Sequence, residues 1–263
     1  MCRFLGYIGQ PVFLDSLLVE PAASLIAQSL AAREAKTIVN GDGCGIGWYG
    51  ERDEPGLYHG VLPAWSDSNL SSLCRQLRSR LFLAHVRSAT TGEVSAANCH
   101  PFAAGRHLFM HNGQIGDYER VRRRVDALIP DALYSKRRGN GDSEAIFLAA
   151  LGRGLATDPQ GAVVATLQSV RRIMRNAGIT KPLRFAAIHT DGAVLRCYRW
   201  SSDERAPSLY WRRTEAGVVV ASEPIDDAVW EMVPPGSVMT IDAAGDCRRE
   251  ALEIGTGETL AAA

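Results

Sequence analysis

The apolar residues of this chain recur at strand spacing, then at helix spacing, then at strand spacing again, and that order restricts the fold more than any other feature. Short apolar runs at 3–9, 45–49, 81–86 and 107–111 read as buried strands. Tyr118, Val121, Val125 and Leu128 then form a helical stripe that begins after Asp117, a residue type suited to an N-cap. Two more helices are predicted, from Ser143 to about Leu155 with Ile146, Phe147, Ala150 and Leu151 inward, and over 160–176. Strands return after Pro182, at 184–190, 193–199, 207–212, 217–222 and 237–242, the first two joined by the hairpin signal Asp191-Gly192. A doubly wound parallel sheet would alternate strand and helix regularly; this order instead predicts a layered α+β fold. No repeat or linker divides the chain, so residues 1–263 are predicted to form one domain.

Several function classes are disfavoured at once. The 29 basic and 29 acidic residues cancel, leaving no net field to draw the chain to nucleic acid or an anionic membrane. The densest basic run, Arg120 to Arg124 with Arg137 and Arg138 beyond, reads as a solvated helix face. No apolar stretch approaches the roughly 20 residues that span a bilayer. The N-terminal apolar run is broken by Gly6, Gly9, Gln10 and Pro11, unlike a signal peptide. Six cysteines, at 2, 44, 74, 99, 197 and 247, show no C-x-x-C spacing, so neither a zinc site nor a disulfide scaffold is predicted. A reducing cytoplasm is the expected setting, with Cys44, Cys74 and Cys197 as inert core thiols.

The chemistry is carried by a constellation of motifs. Cys2 follows the initiator methionine, and removal of Met1 would leave a free amine beside the thiol. Such an amine titrates at about 7.7–8.0 and can activate its own side-chain nucleophile. His85-Val-Arg87-Ser-Ala-Thr90 ends an apolar strand and offers an arginine that can grip a carboxylate through two parallel bonds. Asn98-Cys-His100-Pro-Phe102 places polar groups in a proline-stiffened loop. In His111-Asn112-Gly113, Asn112 can present its side-chain amide and Gly113 its backbone N–H to a developing oxyanion, although Asn-Gly is also a common turn. Asp142 opens a helix as Gly141-Asp142-Ser-Glu144; its carboxylate suits either a helix cap or a substrate ammonium. Nucleophile, oxyanion donors, carboxylate clamp and ammonium acceptor together match glutamine, an amino acid that adds a cleavable amide.

On these motifs, together with Met1-Cys2-Arg3 and the glycine-rich Asp42-Gly-Cys-Gly-Ile-Gly-Trp48, the chain resembles the class II glutamine amidotransferases, members of the N-terminal-nucleophile hydrolases. The motifs cover roughly the first 150 residues, and Ala221-Ser-Glu-Pro224 and Pro234-Pro-Gly-Ser237 look like the second half of the same fold. The resemblance implies a four-layer αββα sandwich with two antiparallel sheets. It implies that Cys2 attacks the amide to form a γ-glutamyl thioester, releasing ammonia or an amine. Asn112 and Gly113 would form the oxyanion hole. Arg87 would bind the carboxylate with Thr90 nearby, Asp142 would bind the α-amino group, and His100 would complete the substrate site. Neither metal nor organic cofactor is implied.

The sequence also departs from the family. Ser88 and Thr91 stand where a bulky aromatic and a histidine are common. The chain closes about where the glutaminase fold should, with no second domain to consume ammonia, so a synthase partner or simple amidohydrolysis is expected. The resemblance extends to the ergothioneine-pathway γ-glutamyl amidohydrolase, although Phe4 occupies a position expected to be histidine there. A non-catalytic sensor of glutamine or of a γ-glutamyl compound is the alternative from a different class.

Overall fold

In the computed structural model, which describes residues 2–34, 38–88 and 94–255, the chain opens with strand β1 (Arg3–Phe13) and helices α1 (Asp15–Leu18) and α2 (Leu25–Ala31). Strands β2 (Cys44–Trp48) and β3 (Gly56–Gly60), helix α3 (Ser68–Gln76) and strand β4 (Arg78–Val86) follow. Strands β5 (Phe102–Ala104) and β6 (His107–Gln114) lead to helices α4 (Tyr118–Asp126), α5 (Asp131–Tyr134), α6 (Asp142–Gly152) and α7 (Pro159–Asn176). The remaining strands are β7 (Arg184–Thr190), β8 (Leu195–Ser201), β9 (Tyr210–Arg213), β10 (Gly217–Ala221), β11 (Glu231–Met232), β12 (Ser237–Ile241) and β13 (Cys247–Ala251). They form two antiparallel sheets, in the orders β11-β9-β10-β1-β4-β2-β3 and β13-β12-β8-β7-β6-β5.

Alternation along the central strands explains the layering. In β1, Phe4 and Ile8 point to the apolar seam between the sheets, while Leu5 and Tyr7 face the layer of α1, α2 and α3. In β8, Leu195 and Cys197 enter the same seam; Tyr198 and Trp200 pack under α4, α6 and α7 on the outer face of the second sheet. Helix layer, sheet, sheet, helix layer: the order is the expected αββα. Gly6 lets the sheets close, because a side chain there would press within 3.1 Å of Ile188 and Leu83.

Most predicted elements form, and the differences have local causes. Asp117 stands at the N-cap position of α4 but makes no capping bond; its backbone is left-handed (φ 48°) and its carboxylate pairs with Lys181. Asp142 is the first helical residue of α6, and Gly141 is the cap. Helix α6 has no single inner face, since every residue from Ser143 to Ala150 is buried between the second sheet and its companion helices. The basic run on α4 does face outward at Arg120, Arg123 and Arg124. Strands β3, β5, β11 and β13 and helices α1, α2, α3 and α5 are too short or too polar to have stood out by periodicity. Among the described residues, no helix is long and apolar enough to cross a membrane.

Candidate active site

The strand ladder brings distant motifs to one end of the sandwich. Arg3 pairs with Val86 across β1 and β4, so Cys2, one residue earlier, lies beside Arg87 and Ser88. The Ser88 N–H donates to the Cys2 Sγ at 3.3 Å, and the thiol lies 3.5 Å from the Ser88 carbonyl oxygen. Burial pushes this thiol above its ordinary value, while the Ser88 N–H, the positive chain terminus, Arg87 and Arg3 pull it down. Arg87 continues the ladder through its backbone, donating to the Gly43 carbonyl at 2.8 Å and accepting from the Asp42 N–H at 3.0 Å.

The second sheet supplies the opposite wall. Asn112 on β6 reaches across the seam, and its Nδ2 donates to the Cys2 carbonyl at 2.8 Å. An amide nitrogen carries two hydrogens, so this bond leaves a second for a ligand. Gly113 has φ 151°, and a Cβ there would run into the Arg184 carbonyl, so glycine is required for the backbone to take this path. Two buried polar atoms at this end, Arg87 Nη1 and Asn112 Oδ1, have no hydrogen-bond partner among the described residues. Leaving such groups unmet costs about 1–3 kcal/mol each, so both would gain from a polar ligand.

Asp142 accepts the Ile115 N–H at 2.8 Å through Oδ2, and its Oδ1 lies 3.3 Å from the Ser143 hydroxyl. The loop before it is tightly held: Glu144 accepts from the N–H groups of Arg138 and Gly139 and from Arg137 Nη1, while Asn98 Oδ1 accepts the Asn140 N–H. His100 is buried, with its Nδ1 2.7 Å from His85 Nε2 and its ring edge-on to Phe102. Burial, then neighbouring His85, His111 and Arg87, hold His100 well below the usual imidazole range; His85 is pushed to about 3 by burial and Arg87. Both are neutral members of the wall behind the site. Thr90 and Thr91 lie outside the described residues.

Other residues that fix the nucleophile carry weaker sequence signals. The Ser222 hydroxyl accepts the Phe4 N–H at 2.9 Å, and buried Arg3 donates to the Ser222 carbonyl at 3.1 Å and faces Glu223 at 3.6 Å. Glu223 also accepts the N–H groups of Arg33 and Glu34. The Ala221-Ser-Glu-Pro224 motif marked this stretch, but nothing in its spacing pointed to Cys2. Phe4 is wholly buried in the inter-sheet seam.

The comparisons with known proteins agree with this architecture. The family profile of class-II glutamine amidotransferases matches residues 15–202. The chain is 32% identical to the probable glutamine amidotransferase DUG3 of Saccharomyces cerevisiae, over 92% of this chain and 82% of that protein. It is 30% identical to the gamma-glutamyl-hercynylcysteine sulfoxide hydrolase of Mycolicibacterium smegmatis, over 89% of this chain and 92% of that protein. A solved glutamine aminotransferase class-II domain protein from Silicibacter pomeroyi superposes with a TM-score of 0.77 at 37% identity, covering 95% of this chain and 99% of that one. The chain therefore belongs to the class II glutamine amidotransferase family of amidohydrolase and amidotransferase enzymes.

Proposed function

We propose that this protein hydrolyses the side-chain amide of glutamine or of a γ-glutamyl amide, with Cys2 as the nucleophile after Met1 is removed. The observation that carries the reading is the convergence on one thiol: the Ser88 N–H reaches its Sγ, and the Asn112 amide is fixed to its own carbonyl. The freed α-amine takes the thiol proton, and sulfur attacks the amide carbon. Asn112 and the Gly113 N–H stabilise the oxyanion, which removal of a single donor in such holes weakens by about 10²- to 10³-fold in rate. As the C–N bond breaks, the amine returns that proton to the leaving nitrogen; water then cleaves the γ-glutamyl thioester. Arg87, through its unmet Nη1, binds the substrate carboxylate, with Thr90 beside it in the same motif. Asp142 takes the α-ammonium. His100 holds the wall through His85.

A γ-glutamyl amide with a large amine is the second reading. Exposed Val39 and Trp65 both lie against Gly41 in the 38–43 segment, which hydrogen-bonds Arg87, and they offer apolar surface to a leaving group bulkier than ammonia. The names of the yeast and mycobacterial relatives fit one reading each. A synthase partner consuming the ammonia accords with the first reading, simple hydrolysis with the second. The cysteines of the described chain are free, in keeping with a cytoplasmic setting. Hydroxylamine trapping tests the chemistry: a thioester yields γ-glutamyl hydroxamate in proportion to hydroxylamine, and its absence during turnover would exclude the Cys2 intermediate.

A further inference from the structure

We propose that Ser143 and His111 together decide whether Asp142 is open to a substrate ammonium group, an inference that rests on the γ-glutamyl reading above. Counting hydrogens carries the argument. The Arg184 carbonyl can only accept, so His111 Nε2, 3.2 Å away, bears a hydrogen. His111 Nδ1 lies 2.9 Å from the Ser143 hydroxyl, which also lies 3.3 Å from Asp142 Oδ1. One hydroxyl has one hydrogen to give.

When His111 is neutral, Nδ1 accepts, the Ser143 hydroxyl turns toward it, and Asp142 Oδ1 is left to a ligand. When His111 is protonated, Nδ1 donates to the Ser143 oxygen and the hydroxyl turns to Asp142 Oδ1. The other carboxylate oxygen stays with the Ile115 N–H in both states. Protonated His111 therefore sends the Ser143 hydroxyl onto the oxygen that a bound ammonium would use, which weakens that oxygen as an acceptor, and the two positive charges oppose each other as well.

The surroundings suit such a relay. His111 is buried against Phe185, with ring centroids 5.0 Å apart, and a Cβ on Gly113 would come within 2.5 Å of its Nε2, so the ring sits directly behind the oxyanion strand. The titratable groups facing it are Asp142 from α6, His85 from β4 and His100 from the following loop. The guanidinium of Arg184 is turned to Asp203 at 2.7 Å. Burial favours the neutral ring, while Asp142 and the Arg184 carbonyl favour its protonation.

The test uses full-length Cys2→Ala protein, titrated with L-glutamine and with glutaramate, which keeps the amide and the carboxylate but lacks the ammonium. Glutamine affinity is expected to fall by up to about tenfold per pH unit as pH drops through the His111 titration, while glutaramate affinity stays level. Glutamine should correspondingly lower the His111 titration midpoint followed by NMR, and glutaramate should not. Ser143→Ala should flatten the glutamine profile at least about threefold, and Ser143→Thr, which keeps the hydroxyl, should restore it. Parallel profiles for the two ligands, or an Ala variant that matches the Thr variant, would overturn the relay while leaving the enzyme reading intact. Failure of both ligands to bind at any pH would overturn the γ-glutamyl reading and the relay with it.

Discussion

Cys2 and Cys197 are thiols of the same sandwich, and their surroundings differ in kind. Cys197 lies in the apolar seam with Ile188, Leu195 and Met239, and burial raises its titration with no hydrogen-bond donor or cation among the described residues to oppose it. Cys2 lies where that seam opens, and there a backbone N–H, Arg87 and Arg3 act against the same burial. One fold thus borders two buried thiols differently: burial raises both, and only at Cys2 do a backbone N–H and cations oppose the rise. At the open end Arg87 Nη1 and Asn112 Oδ1 have no partner among the described residues, whereas the carboxylates that support it, Glu144 and Glu223, are met on both oxygens. The supporting carboxylates are met on both oxygens, although the Arg3 and Arg137 side chains that pair with them each keep an Nε without a partner among the described residues.

The sharpest break of this comparison is to exchange the roles of the two cysteines. Cys2→Ala should lower amide hydrolysis by about 10⁴-fold or more with the fold intact, while Cys197→Ala should leave the rate within about twofold and affect stability alone. Comparable activity losses in both would erase the distinction. Next in size, Asn112→Ala should lower kcat by about 10²- to 10³-fold in steady-state ammonia release. A change confined to KM would assign Asn112 to substrate binding instead.

The contrast between mouth and support is sharpened by Glu223. Glu223→Gln leaves buried Arg3 without its counter-charge and weakens the hold on residues 33 and 34, so chemical denaturation should show a loss of about 3 kcal/mol. A loss below about 1 kcal/mol would mean that Arg3 is carried by the Ser222 carbonyl alone.

The smallest effect concerns pH, at the far end of β7. His189 is pushed to about 3 by burial and then by His107 and Arg196, whereas an unfolded histidine titrates near 6.5. The unfolded chain therefore takes up the proton first, so stability falls as pH drops from about 6.5 toward about 3. At pH 5 the loss from this one residue is about 2 kcal/mol, and His189→Gln should make the melting temperature less sensitive to pH over that window. An equal slope in the variant would place acid sensitivity elsewhere, with His85 at the mouth as the first alternative.

Sequence legibility followed the same division. The strands that border the seam were readable because they are short, almost continuously apolar runs, buried at every position over 3–8, 81–86 and 185–190, and the motifs at their ends put Ser88 and Asn112 beside Cys2. The supports were less readable. Glu223 reaches Arg3 across 220 positions of chain, a pairing set by the neighbouring β1 and β10 strands and by no local pattern. Asp117 and Asp142 carried cap chemistry in the sequence, yet tertiary partners, Lys181 and the Ile115 N–H, claimed their carboxylates. The proton relay behind Gly113 was hidden for a related reason: His111 and Ser143 each look like ordinary neighbours of a motif residue until β6 and α6 are packed together.

The most direct measurement is intact mass together with ammonia release on protein with an untagged N-terminus, using glutamine and a panel of γ-glutamyl amides. The account predicts loss of Met1 and hydrolysis of at least one amide that vanishes in Cys2→Ala. Retained Met1 with undiminished turnover, or a processed protein whose hydrolysis survives Cys2→Ala, would contradict it.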